Sequence, residues 1–273
     1  MPLVDRGRHT LHYESFGDPT KPPVLLIMGL GLSSRAWDRL PLLLARDFHV
    51  LCFDNLGTGK SARRGFVYRM RDLADDAAAV IESAGTRSAH VFGISMGGMI
   101  AQELAIRHPD RVRSLALGCT FASFRRGTSP SLSTRLDLLL LNLGLVNPAR
   151  IARVLVSAEW NAGHPRGALE WMRRAERTAL RYATAQLLAI ARHHTLGRLA
   201  AIRVPTLVVT GTADKLVPPA NSDVLARSIP GARLVRLEGA GHVFPLEREA
   251  ETVQLLREHF LAAERQKATE TMV

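Results

Sequence analysis

Short apolar segments rich in β-branched residues alternate along the chain with longer segments in which apolar residues recur every three or four positions. The short segments predict strands at residues 23–28, 49–54, 89–94, 112–120, 204–210 and 232–238. Residues 8–16 alternate apolar and polar side chains before a Gly-Asp-Pro turn, which predicts an antiparallel edge strand. Strands that alternate with helices are typical of a parallel sheet covered by helices on both faces. The pattern therefore predicts an α/β fold.

This alternation is interrupted between residues 121 and 203, where no strand pattern occurs. Two helical patterns occupy the interval, one that ends near Trp160 and one over residues 168–194. We therefore predict an α/β core formed by residues 1–120 and 204–273, and a helical cap formed by residues 121–203. Residues 121–203 are called the cap segment below.

The composition is that of a folded globular protein, because 47% of the 273 residues are hydrophobic and 22% are charged. The net charge of +11 is high, and +9 of it lies in the cap segment, which contains 13 arginines and four acidic residues. A basic chain can attract nucleic acid or an anionic membrane. The sequence has no interleaved aromatic and basic platform and no groove-reading motif, so we predict no nucleic-acid partner.

The two cysteines, Cys52 and Cys119, lie inside predicted strands, which excludes a disulfide framework and favours a reducing compartment. The first residues lack the apolar stretch of a secretory signal. The longest leucine cluster, at residues 138–146, is interrupted by Asn142 and Gly144 and is shorter than the ~18 apolar residues of a membrane span. We predict a cytoplasmic protein without a transmembrane segment. Any association of the cap arginines with an anionic surface is expected to be weak.

Two glycine-containing loops resemble nucleotide-binding motifs without completing them. Residues 29–34 read Gly-Leu-Gly-Leu-Ser-Ser after a strand, so Ser34 replaces the third glycine of a dinucleotide-binding fingerprint. Residues 54–61 end in Gly-Lys-Ser like a phosphate-binding loop, but Asp54 stands where that motif begins with glycine. We therefore expect neither loop to bind a nucleotide, and we predict no cofactor.

The most specific motif is Gly-Ile-Ser-Met-Gly at residues 93–97, between a predicted strand and a predicted helix. In a G-x-S-x-G turn the serine lies on a sharp bend, and the glycines two residues away avoid clashes with neighbouring backbone. Such a turn exposes the hydroxyl of Ser95 above the sheet. It also directs the backbone N–H of Met96 towards a bound substrate.

A nucleophilic serine needs a base and a group that orients the base. Asp214 follows the predicted strand at residues 204–210, and His242 follows the last predicted strand. Serine, aspartate and histidine in this order are the arrangement described for α/β-hydrolases. Singly, Ser95 could fill a tight turn, Asp214 could form a turn, and His242 could be a surface histidine. Three placements that agree favour a catalytic triad. No cluster of histidine, cysteine or acidic residues has metal-ligand spacing, so we predict no metal.

On these motifs the chain resembles the α/β-hydrolase superfamily over residues 11–120 and 204–260. The resemblance implies a mostly parallel, eight-stranded sheet flanked by helices, with the cap segment as the variable cap of that family. It also implies an oxyanion hole formed by the backbone N–H groups of Leu30 and Met96. The stretch Gly-Ile-Ser-Met-Gly-Gly-Met is most similar to the enol-lactonase, small-ester hydrolase and cofactor-free haloperoxidase branches.

Two positions depart from the pattern of the superfamily. Met28 stands where a histidine is usual before the oxyanion-hole residue, and Leu56 stands where arginine is common in the loop at residues 54–61. These departures leave open what supports the oxyanion-hole loop.

The predicted activity is that of a serine esterase or lactonase, which cleaves a small-molecule carboxylic ester or lactone through an acyl-enzyme on Ser95. The cap arginines would attract an acidic substrate, although a solvated helix face is the plainer explanation of them. The same triad can catalyse carbon–carbon bond hydrolysis or perhydrolysis, and a hydrolase fold can also be a non-catalytic ligand receptor. Apolar residues that could line an acyl pocket, or simply pack in the core, are Trp37, Phe121, Phe124, residues 139–141, Trp160 and Phe244.

Overall fold

The computed structural model describes residues 3–62, 67–134, 148–176 and 178–271. Eight strands form one sheet, and they are β1 (Leu3–Asp5), β2 (Thr10–Phe16), β3 (Pro23–Ile27), β4 (His49–Phe53), β5 (Ala89–Ile94), β6 (Val112–Gly118), β7 (Thr206–Gly211) and β8 (Arg233–Leu237). Their order across the sheet is β1-β2-β4-β3-β5-β6-β7-β8. Strand β2 pairs antiparallel with β1 and β4, and all other neighbours are parallel. The prediction of a mostly parallel, eight-stranded sheet is confirmed.

Helices cover both faces of the sheet. They are α1 (Leu40–Leu44), α2 (Met70–Ser83), α3 (Met96–Arg107), α4 (Pro148–Leu155), α5 (Ala158–Gly163), α6 (Gly167–Arg174), α7 (Leu180–Ala191), α8 (Ala220–Ser228), α9 (Phe244–Glu247) and α10 (Glu249–Thr271). Helices α4 to α7 belong to the cap segment, which leaves the sheet after β6 and returns to it before β7.

The side chains of β3 show how the sheet divides the core in two. Leu25 and Ile27 pack with α2 and α3 on one face, while Val24 and Leu26 pack with α1 and α10 on the other. Successive side chains of a strand point to opposite faces. All four are fully buried, which is why this strand is a continuous apolar run in the sequence rather than an alternating one.

The position of β2 differs from the prediction of an edge strand. Residues 8–16 were expected at the edge of the sheet, but β1 pairs with the outer side of β2 through Leu3, Val4 and Asp5. A three-residue strand is too short to give an alternating pattern of its own, so the sequence does not reveal it.

Each of the two predicted cap helices is divided in two. The first is interrupted at Ser157, whose side chain accepts a hydrogen bond from the N–H of Trp160 at 3.2 Å and so caps α5. The second is interrupted between α6 and α7, where Glu176 has a φ of 46°, a left-handed conformation that ends a right-handed helix. The predicted pocket residues 139–141 lie outside the described residues.

The parallel strands end at a common edge, and the three predicted triad residues lie there. Ser95 directly follows β5, while Asp214 and His242 lie in the loops after β7 and β8. Ligands of open parallel sheets bind outside the carboxyl ends of the strands. The topology alone therefore brings these residues to one place although they are far apart in sequence.

All arginines of the cap segment that the structure describes are exposed. Helix α10 is 23 residues long and carries many charged side chains. Within the described ranges, no helix is both long enough and apolar enough to cross a membrane.

Because His193 is buried, we expect the stability of the protein to fall at low pH. Its ring packs near Phe121, and burial lowers the pKa of His193 from 6.5 to about 4. Between these values the unfolded chain binds more protons than the folded protein, so the free energy of unfolding falls as the pH drops from about 6.5 towards 4. We expect His193→Gln to reduce this loss by up to about 1.4 kcal/mol per pH unit, measured by urea denaturation at several pH values.

The matched control is His194→Gln, because His194 adjoins His193 but is exposed. We expect the control to lose stability with falling pH as the parent does. If the His193→Gln variant and the parent had the same pH dependence, burial of His193 would not be its cause.

Candidate active site

Ser95 lies on a strained turn between β5 and α3. Its backbone has φ 57° and ψ −121°, a region that residues other than glycine rarely adopt. Its N–H donates to the carbonyl of Gly118 at 2.9 Å, and the hydroxyl of Thr120 donates to the carbonyl of Ser95 at 2.7 Å. Strain of this kind costs about 1–3 kcal/mol and persists only where the surroundings impose it. The turn places the side chain of Ser95 in the wall of a cavity.

The glycines on either side of Ser95 are required by close packing. A Cβ atom on Gly97 would overlap the carbonyl oxygen of Ile27, and a Cβ atom on Gly93 would overlap the carbonyl oxygen of Gly97. The partners in both overlaps are backbone atoms, which cannot rotate away as a side chain can. The G-x-S-x-G pattern is therefore a consequence of how tightly α3 begins against β3 and β5.

His242 and Asp214 form a buried hydrogen-bonded pair at the cavity. Nδ1 of His242 donates to Oδ2 of Asp214 at 2.8 Å. The other carboxylate oxygen accepts from the backbone N–H groups of Leu216 and Val217, each at 2.8 Å. Because a carboxylate only accepts, this pair fixes the proton on Nδ1 and leaves Nε2 as the basic nitrogen of His242.

A buried glutamate holds the loop that carries His242. Glu247 accepts hydrogen bonds from the N–H of Gly241 at 2.9 Å and from the N–H of Ser157 at 3.0 Å. The thiol of Cys119 donates to the carbonyl of His242 at 2.8 Å. Since Ser157 belongs to the cap segment, Glu247 joins the histidine loop to that segment. No motif in the sequence marks Glu247, which follows the apolar residues 243–246 and precedes Arg248 and Glu249.

The two residues expected to supply the oxyanion-hole N–H groups, Met96 and Leu30, belong to segments that adjoin Ser95. Met96 is the first residue of α3 and directly follows Ser95, and helix N-termini favour negative charge. Leu30 lies in the same cavity wall as Ser95. A Cβ atom on the preceding Gly29 would be 3.2 Å from Cβ of Ser95, so glycine permits the loop after β3 to approach the serine turn.

The loop at residues 54–61 is occupied by one of its own carboxylates. Asp54 is buried and accepts from the N–H of Ser34 at 2.7 Å and from the N–H of Lys60 at 2.8 Å. A Cβ atom on Gly59 would overlap this carboxylate. A phosphate would meet both the volume and the negative charge of Asp54 there. The loop therefore joins neighbouring segments of the core rather than forming an anion site.

A cavity of about 400 Å³ lies between the core and the cap segment and contains Ser95 and His242 in its wall. Most of the wall is apolar. Apart from His242, its charged or titratable residues among those described are Asp38 and Glu249. Asp38 is paired with Arg174 and Glu249 with Arg39; both arginines are exposed, and neither lines the cavity. The interior therefore resembles an acyl pocket more than an anion-binding site.

The aromatic residues predicted for the pocket divide into two groups. Trp37, Phe121 and Phe124 line the cavity. Trp160 instead stacks on an exposed histidine, and Phe244 packs in the core, so neither lines it. The difference lies in which face of its helix or loop each ring occupies, and one-dimensional patterns do not resolve this.

The cap helices contribute wall residues that no motif in the sequence indicates. Trp171 and Met172 of α6 and Leu180 of α7 line the cavity. Their only signal is an apolar position in a helical pattern. That signal predicts burial without saying whether the side chain faces the core or a ligand.

One group of potential metal ligands coincides with the histidine pair. Cys119, Asp214 and His242 each place a ligand atom within 4.8 Å of the others. Two of these atoms are joined in the His242–Asp214 bond, and the Cys119 sulfur already donates a hydrogen bond. Burial raises the pKa of the Cys119 thiol well above its usual range, whereas the thiolate is the form that binds metals. The donors therefore suit their own hydrogen bonds better than a metal ion.

Both cysteines are free and buried, as expected for small side chains in the core. Burial also raises the pKa of the Cys52 thiol in β4. Neither thiol has the accessible, electropositive surroundings of a reactive cysteine.

Comparison with known proteins identifies the family. The alpha/beta hydrolase fold family matches residues 22–249. The chain is 31% identical to the rhodomycin D methylesterase DauP of Streptomyces sp. strain C5, over 89% of this chain and 92% of that protein. It is 33% identical, with the same coverage, to RutD of Azorhizobium caulinodans, which is named as a candidate carbamate hydrolase. The chain belongs to the alpha/beta hydrolase fold family, which confirms the resemblance drawn from the motifs.

A solved structure gives the same family relationship. The enol-lactonase from Burkholderia xenovorans LB400 superimposes with a TM-score of 0.84 at 26% sequence identity. The match covers 96% of this chain and 100% of that one, so it includes the cap segment as well as the sheet.

The variant Gly97→Ala tests the packing that creates the serine turn. The added methyl group overlaps the carbonyl of Ile27, so α3 must move away from β3. We expect a loss of about 1–3 kcal/mol in the free energy of unfolding, measured by urea denaturation. We also expect slower labelling of Ser95 by a fluorophosphonate, because the turn no longer holds the serine in place.

The control is Gly163→Ala at the end of α5, where an added Cβ meets no atom within 4 Å. This variant should keep the stability and labelling rate of the parent. A Gly97→Ala protein with parental values of both would show that the close packing of α3 is not what holds Ser95.

Proposed function

We propose that the protein hydrolyses carboxylic esters, including lactones, through an acyl-enzyme on Ser95. The observation that carries the proposal is the His242–Asp214 bond of 2.8 Å at the cavity whose wall also contains Ser95. A strained serine, a histidine with its proton fixed on Nδ1, and a carboxylate that orients it are the components of nucleophilic acyl transfer. The proposal assigns these roles to Ser95, His242 and Asp214 in that order.

The first half of the reaction forms the acyl-enzyme. Nε2 of His242 accepts the hydroxyl proton of Ser95 while Oγ bonds to the substrate carbonyl carbon. The carbonyl oxygen becomes negatively charged, and the N–H groups of Leu30 and Met96 donate to it, each contributing about 3 kcal/mol. His242, whose positive charge Asp214 stabilises, then returns the proton to the leaving alcohol oxygen as the carbon–oxygen bond breaks.

The second half releases the acid. His242 accepts a proton from a water molecule, and the water oxygen bonds to the acyl carbon. The same N–H groups stabilise the second oxyanion. The proton passes from His242 to Oγ as the bond between Ser95 and the acyl carbon breaks, which regenerates the free serine.

The lining of the cavity favours a substrate whose acyl group is uncharged and apolar. A carboxylate on the acyl chain would meet Asp38 and Glu249 in the wall, and none of the described arginines lines the cavity. We propose that residues 121–203 form the cap over this pocket. The predicted attraction of an acidic substrate by the cap arginines then concerns only the outer surface.

Relatives support the reaction type rather than one substrate. Their names describe a methylesterase, a candidate carbamate hydrolase and an enol-lactonase, and all three bonds break by attack on a carbonyl carbon. Carbon–carbon bond hydrolysis and perhydrolysis would start from the same serine. Rates on an ester, an enol-lactone and a vinylogous diketone separate these reactions, while a ligand receptor would turn over none of them.

The variant Ser95→Ala tests the acyl-enzyme. We expect kcat/KM for p-nitrophenyl butyrate to fall by at least about 10³-fold and fluorophosphonate labelling to disappear, because the nucleophile is gone. Ser222→Ala is the matched control, since Ser222 is buried with no hydrogen-bond partner for its hydroxyl among the described residues. A Ser95→Ala protein that kept the parental rate would refute the proposal. A folded parent that resisted labelling would favour a receptor.

The charge of the acyl group gives a separate test. We expect kcat/KM for p-nitrophenyl butyrate to exceed that for p-nitrophenyl hydrogen succinate by at least about tenfold, because an unpaired carboxylate in an apolar wall costs more than the ~1.4 kcal/mol this factor represents. In the double variant Asp38→Asn, Glu249→Gln, the kcat/KM values for the two esters should lie closer together than in the parent. Equal rates on the two esters in the parent would contradict a neutral acyl pocket.

A further inference from the structure

The oxyanion loop, residues 29–33, has a glycine that the cap segment holds on both sides. The N–H of Gly31 donates to Oε1 of Gln186 in α7 at 2.8 Å, and the carbonyl of Gly31 accepts from the N–H of Thr178 at 2.9 Å. Gly31 has a φ of 69°, a conformation that glycine adopts freely and leaves as freely. The orientation of the Leu30–Gly31 peptide therefore depends on partners outside the loop.

The side chain of Gln186 uses both ends of its amide. Oε1 faces the N–H of Gly31, and Nε2 donates to the carbonyl of Leu56 at 3.1 Å. These partners fix which end is oxygen, because an N–H needs an acceptor and a carbonyl needs a donor. Gln186 is fully buried. One side chain of the cap segment thus joins the loop after β3 to the loop after β4.

Support from within the core reaches the ends of this stretch but not Gly31. Asn55 donates from Nδ2 to the carbonyl of Met28 at 2.9 Å, and Asp54 accepts from the N–H of Ser34 at 2.7 Å. The side chains of Met28 and Leu56 offer no strong hydrogen-bonding group. The Gly31 N–H has Gln186 as its side-chain partner, and this answers what supports the loop in the absence of the usual histidine and arginine.

We propose that Gln186 is a positioning residue for ester hydrolysis, which holds the Leu30–Gly31 peptide and thereby the adjacent N–H of Leu30 in the orientation that an oxyanion needs. The proposal rests on the function proposed above. The N–H of Leu30 belongs to the preceding Gly29–Leu30 peptide, which shares the Cα atom of Leu30 with the Leu30–Gly31 peptide. A displacement of Gly31 therefore moves this Cα atom and shifts the N–H of Leu30 away from the oxyanion position. Gln186 itself does not contact the reacting atoms.

A second buried glutamine provides a matched comparison. Gln102 of α3 is also fully buried and also joins the core to the cap segment. Its Nε2 donates to the carbonyl of Phe121 at 3.1 Å, and its Oε1 accepts from the hydroxyl of Thr195 at 2.6 Å. Gln102 has no hydrogen bond to the oxyanion loop. A purely structural role of buried glutamines would affect both positions alike.

The experiment compares Gln186→Met, Gln186→Glu and Gln102→Met with the parent. Active sites are counted by fluorophosphonate titration, so unfolded protein does not contribute. We expect Gln186→Met to lower kcat on p-nitrophenyl butyrate by about 10–100-fold with KM within about threefold, a part of the ~10²–10³ that one oxyanion donor supplies. Binding of butylboronic acid, whose adduct places an oxygen in the oxyanion hole, should weaken by a similar factor.

The other variants distinguish the contribution of the hydrogen bond to Gly31 from that of the hydrogen bond to Leu56. Gln186→Glu keeps an acceptor for Gly31 and loses the donor to Leu56, so its kcat should lie between those of the parent and Gln186→Met. Gln102→Met should keep kcat and boronate affinity even if its melting temperature falls. Equal losses at Gln186 and Gln102, or an unchanged kcat in Gln186→Met, would overturn the proposal.

Hydrogen–deuterium exchange of the peptide covering residues 28–34 provides a readout that does not depend on activity. We expect exchange at this peptide to be at least about tenfold faster in Gln186→Met and unchanged in Gln102→Met, because the Gly31 N–H loses its acceptor. Slow exchange in Gln186→Met would overturn the positioning role. An inactive, unlabelled parent would instead refute the proposed function, while the exchange result would still decide whether Gln186 holds the loop.

Discussion

Helix α3 begins so close to β3 that Gly97 lies directly against the carbonyl oxygen of Ile27. The left-handed backbone of Ser95 follows from this, because the chain must turn from β5 into α3 within one residue. The same proximity sets the first N–H of α3 beside the loop after β3, where Gly29 allows close approach. Strain at Ser95 is tolerated because hydrogen bonds from β6 and its following loop hold both sides of the residue.

The cap segment contributes both to the cavity wall and to the hydrogen bonds of the loops beside it. It supplies Trp171 and Met172 to the cavity wall, and it bonds to both loops that flank the serine. Gln186 reaches the oxyanion loop, while Glu247 of the core accepts from the N–H of Ser157 and holds the histidine loop. A displacement of the cap segment would therefore disturb both loops.

The outer surface of the cap segment is rich in positive charge, whereas the wall of the cavity is mostly apolar and has two acidic residues among those described. The described arginines of the cap segment are exposed, whereas the wall of the cavity contains Asp38, Glu249 and otherwise mostly apolar side chains. Arginines keep their charge in water at little cost, but an apolar wall penalises any unpaired charge. The high net charge of the chain thus describes its outer surface and says little about what the pocket accepts.

The α/β architecture, most strand positions and the order of Ser95, Asp214 and His242 are predictable from the sequence, because periodicity and a strand–turn–helix motif are local properties. The sequence also indicated the family, which the comparisons confirm. The edge position of β1, the division of each cap pattern into two helices and the choice of aromatic rings that line the cavity depend on packing between distant segments. The tertiary structure alone revealed Gln186, which lies 155 residues from its partner Gly31. A hydrogen bond over such a separation depends on how the cap segment packs on the core, and no local pattern of residues encodes that packing.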